Sequence, residues 1–212
     1  MRGWLQLILV AVLTTSLTVG SLAQLPVPSL EDVIQRLAAV NASLETFRVE
    51  QEVVASILMF RFVFSASIFA SRPARYHVIV HDAPWPFSLL GNEFGQAARL
   101  EDVLSQYNAR TIGWRDEDGR QWLYLSLEGR HADVNPPRLE ALIDQSRWLV
   151  SKTEFHYAWG DLLAEYRYAL YDRYYMPEVL FVRAPSFFLS ATIRHHDYQF
   201  NIAIPEEEFG TK

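Results

Sequence analysis

From Thr46 the apolar residues recur at every second position, and over Ile57 to Ala70 they fill one side of a strand completely. Leu58, Phe60, Phe62, Phe64, Ala66, Ile68 and Ala70 share that side, and Arg61, Ser65 and Ser67 share the other. Successive side chains of a strand point to opposite faces, so the run predicts a long strand with one wholly apolar face. Such a face has to cover something large: a helix, a second sheet or a bound ligand.

The rest of the chain supplies little helix to do the covering. Ser29 stands three residues before Asp32, the spacing of a capping box. Leu30, Val33, Ile34, Leu37, Val40 and Leu44 then predict an amphipathic helix of roughly four turns. Asp116-Glu117-Asp118-Gly119 reads as the turn of a β-hairpin joining Thr111–Arg115 to Arg120–Leu127. Strands are expected at Trp148–Ala158, Leu162–Tyr171, Pro177–Arg183 and from Phe187 onward, an antiparallel meander. One stretch breaks the rhythm: Pro84-Trp85-Pro86-Phe87, Gly91 and Gly95 precede a short helix expected over Arg99 to Tyr107, with Leu100, Val103 and Leu104 on one face. Inserted in a meander, it reads as a lid over the open side of the sheet.

The N-terminus places the protein outside the cytoplasm. Arg2 precedes an apolar run from Trp4 to Val19, and Ser21-Leu22-Ala23 offers a small-residue cleavage site, so residues 1–23 read as a signal peptide and 24–212 as one domain. A retained membrane anchor is the other reading of the same run, which is short and carries Thr14, Thr15, Ser16 and Thr18. Export permits disulfides, yet the chain has no cysteine and must stand on burial and hydrogen bonds. Beyond the signal segment 18 Lys and Arg (19 less Arg2) face 25 Asp and Glu, a net charge near −7 without a basic run. That composition argues against nucleic acid as a partner and against a polybasic membrane tether.

No motif points to catalysis. The chain lacks a Cys nucleophile, a G-x-S-x-G elbow, an H-E-x-x-H helix and a glycine-rich phosphate loop. His195-His196-Asp197 is the one tempting metal cluster, but neighbours on a strand face opposite ways, so no metal ligand is assigned and no cofactor is expected. Asn41-Ala42-Ser43 has the form of a glycosylation acceptor but falls within the expected first helix.

Several segments, in order, resemble the periplasmic lipoprotein-carrier family called LolA-like. Phe47-Arg48-Val49-Glu50-Gln51 is similar to the family's entry strand, and Ser71-Arg72-Pro73-Ala74-Arg75-Tyr76 to its Arg-Pro step. Ala141-Leu142-Ile143-Asp144, Met176-Pro177 and the closing Asn201-Ile202-Ala203-Ile204-Pro205 to Phe209 resemble later steps of the pattern. The resemblance implies a mostly β (α+β) protein: an open antiparallel half-barrel of about ten to eleven strands, with amphipathic helices as a lid over an apolar cavity. It further implies that Arg72 latches the lid through hydrogen bonds to helix backbone.

The expected function is therefore a monomeric, non-enzymatic carrier in the periplasm or extracytoplasmic space. It would shelter the acyl chains of a lipid or lipidated protein and hand them to a membrane receptor or acceptor protein. Leu58, Phe60, Phe62, Phe64, Ile68, Leu100, Val103 and Leu104 are the expected ligand contacts. The alternative is an envelope sensor or interaction module that binds a protein or peptide partner through sheet edges and aromatic grooves, as regulatory relatives of the fold do.

Overall fold

A computed structural model describes residues 26–72, 75–84 and 106–209. The expected signal segment and Leu100, Val103 and Leu104 of the expected lid lie outside the described residues.

The first helix, α1 (Leu30–Ala39), starts where the sequence places it. The Ser29 hydroxyl accepts from the Asp32 amide at 3.1 Å and donates to the Asp32 carboxylate at 2.6 Å, satisfying an otherwise free donor of the first turn. The helix is shorter than the four turns expected. Val40 is extended and Asn41 left-handed (φ 57°). The Asn41 side-chain amide donates to the Tyr175 carbonyl at 2.7 Å and accepts from the Tyr175 amide at 2.9 Å. This tertiary pair turns the chain away from the helix, so the acceptor-like Asn41 is committed to structure and Leu44 packs with Tyr174 and Met176.

Among the described residues ten strands form one antiparallel sheet. They are β1 (Thr46–Ile57), β2 (Phe60–Ser71), β3 (Arg75–His81), β4 (Tyr107–Glu117), β5 (Arg120–Gly129), β6 (Arg138–Asp144), β7 (Leu149–Tyr157), β8 (Gly160–Tyr171), β9 (Tyr174–Ala184) and β10 (Leu189–Phe200). The order is β3-β2-β1-β10-β9-β8-β7-β6-β5-β4, so β10 returns to lie beside β1, and the sheet stays open with β3 and β4 at its edges. The β4–β5 hairpin turns at Asp118-Gly119, both with positive φ (54° and 71°), the backbone that suits a right-twisted two-residue turn.

Several strand boundaries differ from expectation: Asp116 and Glu117 belong to β4 and not to the turn, β9 begins at Tyr174, β10 begins at Leu189 and not Phe187, and two further differences move expected side chains. Ile57–Ala70 is not a single strand: Ile57 closes β1 and pairs with Phe60, the first residue of β2. Leu58 and Met59 form the turn between them, because the run before Leu58 is as good a strand as the run after it. Tyr107 opens β4 instead of ending a helix; it is buried, and its hydroxyl donates to the Pro136 carbonyl at 2.7 Å.

Register shows which residues share the inner face. The pairings Phe62–Ala55–Ala191–Val182–Ala164–Thr153–Ala141–Leu125 form one row from β2 across to β5. On the β4–β7 side of this face α1 inserts Val33 among Leu123, Leu125, Leu127 and Ile143, all fully buried. Leu30 and Leu37 flank it, and the Arg36 guanidinium lies 4.8 Å from the Trp148 ring centre. Leu125→Ala should lower unfolding stability by about 2–5 kcal/mol, the cost of a buried Leu-to-Ala cavity, with an unchanged urea m-value.

Candidate functional site: an apolar cavity in the half-barrel

The part of the inner face away from the Val33 contact of α1 carries a cavity of about 220 Å³, walled among the described residues by β1, β2, β3, β8, β9 and β10. Its walls are Val49, Val53, Phe64, Ile68, Val78, Val80, Leu180, Val182 and Ile193. The small side chains of the central row, Ala55, Ala191 and Val182, leave room there. Among the described residues no Asp, Glu, Lys or Arg lines the cavity, so these walls offer apolar surface and a few neutral polar groups.

Those neutral groups sit toward the β10 side. His195 and Gln51 meet at 2.7 Å between their Nε2 atoms. Burial pushes the imidazole pKa down to about 4, outweighing the opposite pull of the Glu178 carbonyl, so His195 is uncharged at neutral pH. Tyr198, stacked near His195, donates its hydroxyl to the Pro177 carbonyl at 2.7 Å. Burial likewise raises the pKa of Tyr76, Tyr166 and Tyr198 and keeps these phenols neutral. A second recess of about 290 Å³ lies beneath the end of α1, lined by Ile34, Leu37, Arg72 and Trp148, and shares Phe47, Met176 and Pro177 with the main cavity.

No family model and no curated protein sequence matches the chain. Solved structures do match. A domain described as outer membrane lipoprotein-sorting from Vibrio parahaemolyticus superposes with a TM-score of 0.65 at 14% identity, over 86% of this chain and 96% of that one. A LolA superfamily protein from Nitrosomonas europaea gives a TM-score of 0.61 at 12% identity, over 87% and 98%. A DUF1329 family protein from Desulfovibrio piger gives 0.63 at 11%, over 84% and 94%.

The chain has the LolA-like half-barrel fold.

Within this LolA-like frame the expected ligand contacts divide into three groups. Phe64 and Ile68 line the cavity. Phe62 packs against the adjoining cluster of Val53, Ala55, Phe64, Val182 and Ile193. Leu58 and Phe60 do not reach the cavity: they stand at the hairpin tip, exposed, because the strand breaks there. The walls from β1, β3, β8, β9 and β10 are not among the expected contacts. Their signal was present in the alternation Leu180, Val182 and Ile193, His195, but only strand order brings these residues beside β1.

Arg72 follows β2 and reaches across to the segment after α1. It donates to the Ala42 carbonyl at 2.8 Å and to the Asn41 carbonyl at 3.3 Å, while the Arg72 amide donates to the Glu45 carbonyl at 2.8 Å. One guanidinium fork thus serves two carbonyls of the turn that follows the helix, of which that of Asn41 also accepts from the Leu44 amide at 2.9 Å.

His196 turns away from His195 and bonds the Asp197 carboxylate at 2.7 Å on the outside. A group without a signal in the sequence is Glu140, Glu154 and His156, whose ligand atoms lie within 4.8 Å of one another on β6 and β7. Arg138 pairs with Glu140, and Asp161 holds the His156 ring at 2.8 Å, so neighbouring side chains meet these groups.

The buried imidazole ties stability to pH. An unfolded-chain His protonates near 6.5, whereas His195 resists until about 4. Between those values the unfolded chain binds more protons, so the contribution of His195 is fully present above pH 6.5 and declines as pH falls toward 4, by on the order of 3 kcal/mol. Urea unfolding of the wild type and of His195→Gln at pH 7 and pH 4.5 should show a smaller acid loss in the variant; equal losses would remove His195 as the source.

Proposed function

We propose that the protein is an exported carrier or binding protein that shelters the acyl chains of a lipid or lipidated protein in this cavity. The observation behind the reading is an inner sheet face only partly covered by α1, whose remainder carries a cavity walled by aliphatic and aromatic side chains and, among the described residues, by no charged one. The described lining offers no charged side chain to hold an ionic substrate. It can remove methylene groups from water, each worth about 0.8 kcal/mol. The lipoprotein-sorting and LolA superfamily descriptions of two structural neighbours support the same class of ligand.

The ligand-contact role of Phe62, Phe64 and Ile68 belongs to this proposal, as does an acceptor or receptor that takes the cargo. Native mass spectrometry of protein purified without detergent, and again after exposure to lipid extract, should show an acyl-bearing adduct. Absence of any adduct under both conditions would defeat the carrier reading, and a single protein partner recovered without lipid would favour the sensor alternative.

Arg72 acts in this proposal as the latch between the segment after α1 and the β2 end of the sheet. Arg72→Leu removes its two donors from the carbonyls of Asn41 and Ala42. Backbone amides over 37–45 should then exchange hydrogen at least several-fold faster while the β5 and β6 amides keep their protection, and cargo handover should slow. Unchanged exchange and handover would assign Arg72 to the surface alone.

A further inference from the structure

The two ends of the half-barrel differ in a way that folding does not require. At one end the connections are polar: Asp118-Gly119, Gln145-Ser146-Arg147 and Asp172-Arg173, with Leu170 the exposed apolar exception. At the opposite end three successive connections in space carry large apolar side chains into solvent. The β1–β2 turn presents Leu58 and Met59 at 66% and 88% exposure; the β9–β10 connection presents Phe187 and Phe188 at 53% and 72%; and the β7–β8 turn presents Trp159 at 44%.

These side chains form one continuous rim. The Leu58 amide donates to the Phe188 carbonyl at 3.2 Å, and Trp159 stands edge-on to Phe187 at 5.0 Å. Gly160 makes the close approach possible, since a Cβ there would collide with Ser186. Leu58 and Phe188 also hold the left-handed backbone (φ 55° and 51°), a conformation that bulky side chains disfavour. Trp159 stacks on Tyr157 at 4.4 Å, but the apolar area that Leu58, Met59, Phe187 and Phe188 leave in water adds nothing to the fold, and clusters of this kind mark interaction surfaces.

We propose that this rim is a bilayer-docking edge, which sets Leu58, Met59, Trp159, Phe187 and Phe188 into the interfacial region of a lipid membrane. The inference rests on the carrier reading in one respect: the rim adjoins the cavity, because Leu189 and Ala55, which line it, lie one residue from Phe188 and three from Leu58. A bilayer suits this edge better than a protein groove does. The contacts are separate turn tips projecting from strand ends, they include the Trp and Phe rings that favour the membrane–water boundary, and burial of these groups needs no partner of defined shape. A cavity opening beside such an edge shortens the path of an acyl chain through water.

The test uses the purified protein with large unilamellar vesicles of zwitterionic phosphatidylcholine. Wild type should sediment with the vesicles, and lipids brominated near the headgroup should quench a component of tryptophan emission that disappears in Trp159→Phe. Met59→Asp with Phe188→Asp should weaken vesicle binding about tenfold or more, whereas Leu170→Asp at the opposite end should not. Native mass spectrometry on the same proteins keeps the two ideas separate: acyl loading intact with vesicle binding lost supports the docking rim, and vesicle binding without acyl loading would remove the carrier reading while leaving the rim. Wild type that loads acyl chains but ignores vesicles, rim variants that bind as wild type does, or a wild-type dimer in light scattering that the rim variants abolish would each overturn the proposal. If the aspartate pair fails to fold, Met59→Ser with Phe188→Ser and the wild-type quenching decide it.

Discussion

The described part of the molecule depends on how α1, a ten-residue helix, is placed on a sheet far wider than itself. The apolar face of α1 is enough to bury Val33 among the leucines of β5 and the Leu139 to Ile143 stretch of β6, and no more. The ten-stranded sheet keeps its apolar inner side on β1, β2, β9 and β10 as well, where α1 reaches only the Phe47 and Met176 ends and leaves the cluster of Val53, Phe64, Val182 and Ile193 uncovered by it. Burial of apolar area is the largest favourable contribution to folding, so the large apolar side chains that α1 does not cover are, among the described residues, the candidate site.

The far boundary of that site is held by short polar connections that use the ends of strands. Asn201, left-handed after β10, accepts from the Glu45 amide at 2.8 Å and donates to the Tyr174 hydroxyl at 2.8 Å, tying β1, β9 and β10 together. The Thr46 hydroxyl donates to the Ile202 carbonyl at 2.6 Å. Beyond it, Glu206 pairs with Arg75, whose guanidinium also lies 4.3 Å from the centre of the Phe209 ring, so the C-terminal turn clasps the start of the β3 edge strand. These are residues of the closing Asn-x-x-Ile-Pro…Phe pattern, and their physical role is to fix strand ends around a cavity that has few polar bonds of its own.

A cavity made of neutral groups has a definite electrostatic character. His195 is the group inside it nearest to becoming charged, and its burial holds off protonation until well below the ordinary imidazole range. The described lining residues therefore add no charge at neutral pH, while the outer surface carries ion pairs, among them Lys152 with Glu117 at 2.6 Å and Arg183 with Glu165 at 2.6 Å. Charge is sorted to the outside by the alternation of each strand: Glu165 and Arg183 flank Ala164 and Val182, which face in.

The sequence by itself determined the class of the fold, because a two-residue period and a capped amphipathic helix are local consequences of backbone geometry. Ser29 and Asp32, the Asp118-Gly119 turn and the apolar face from Phe62 to Ala70 were legible for that reason. Where the elements end was not, since competing contacts are distant in sequence: Asn41 leaves the helix for the backbone of Tyr175, and Leu58 becomes a turn because Ile57 and Phe60 pair with each other. The same holds for the cavity. Phe64 and Ile68 could be read from β2 alone, but Val182, Ile193 and His195 join them only because β10 returns to lie against β1, and alternation along a strand says which face a residue takes without saying which strand stands beside it.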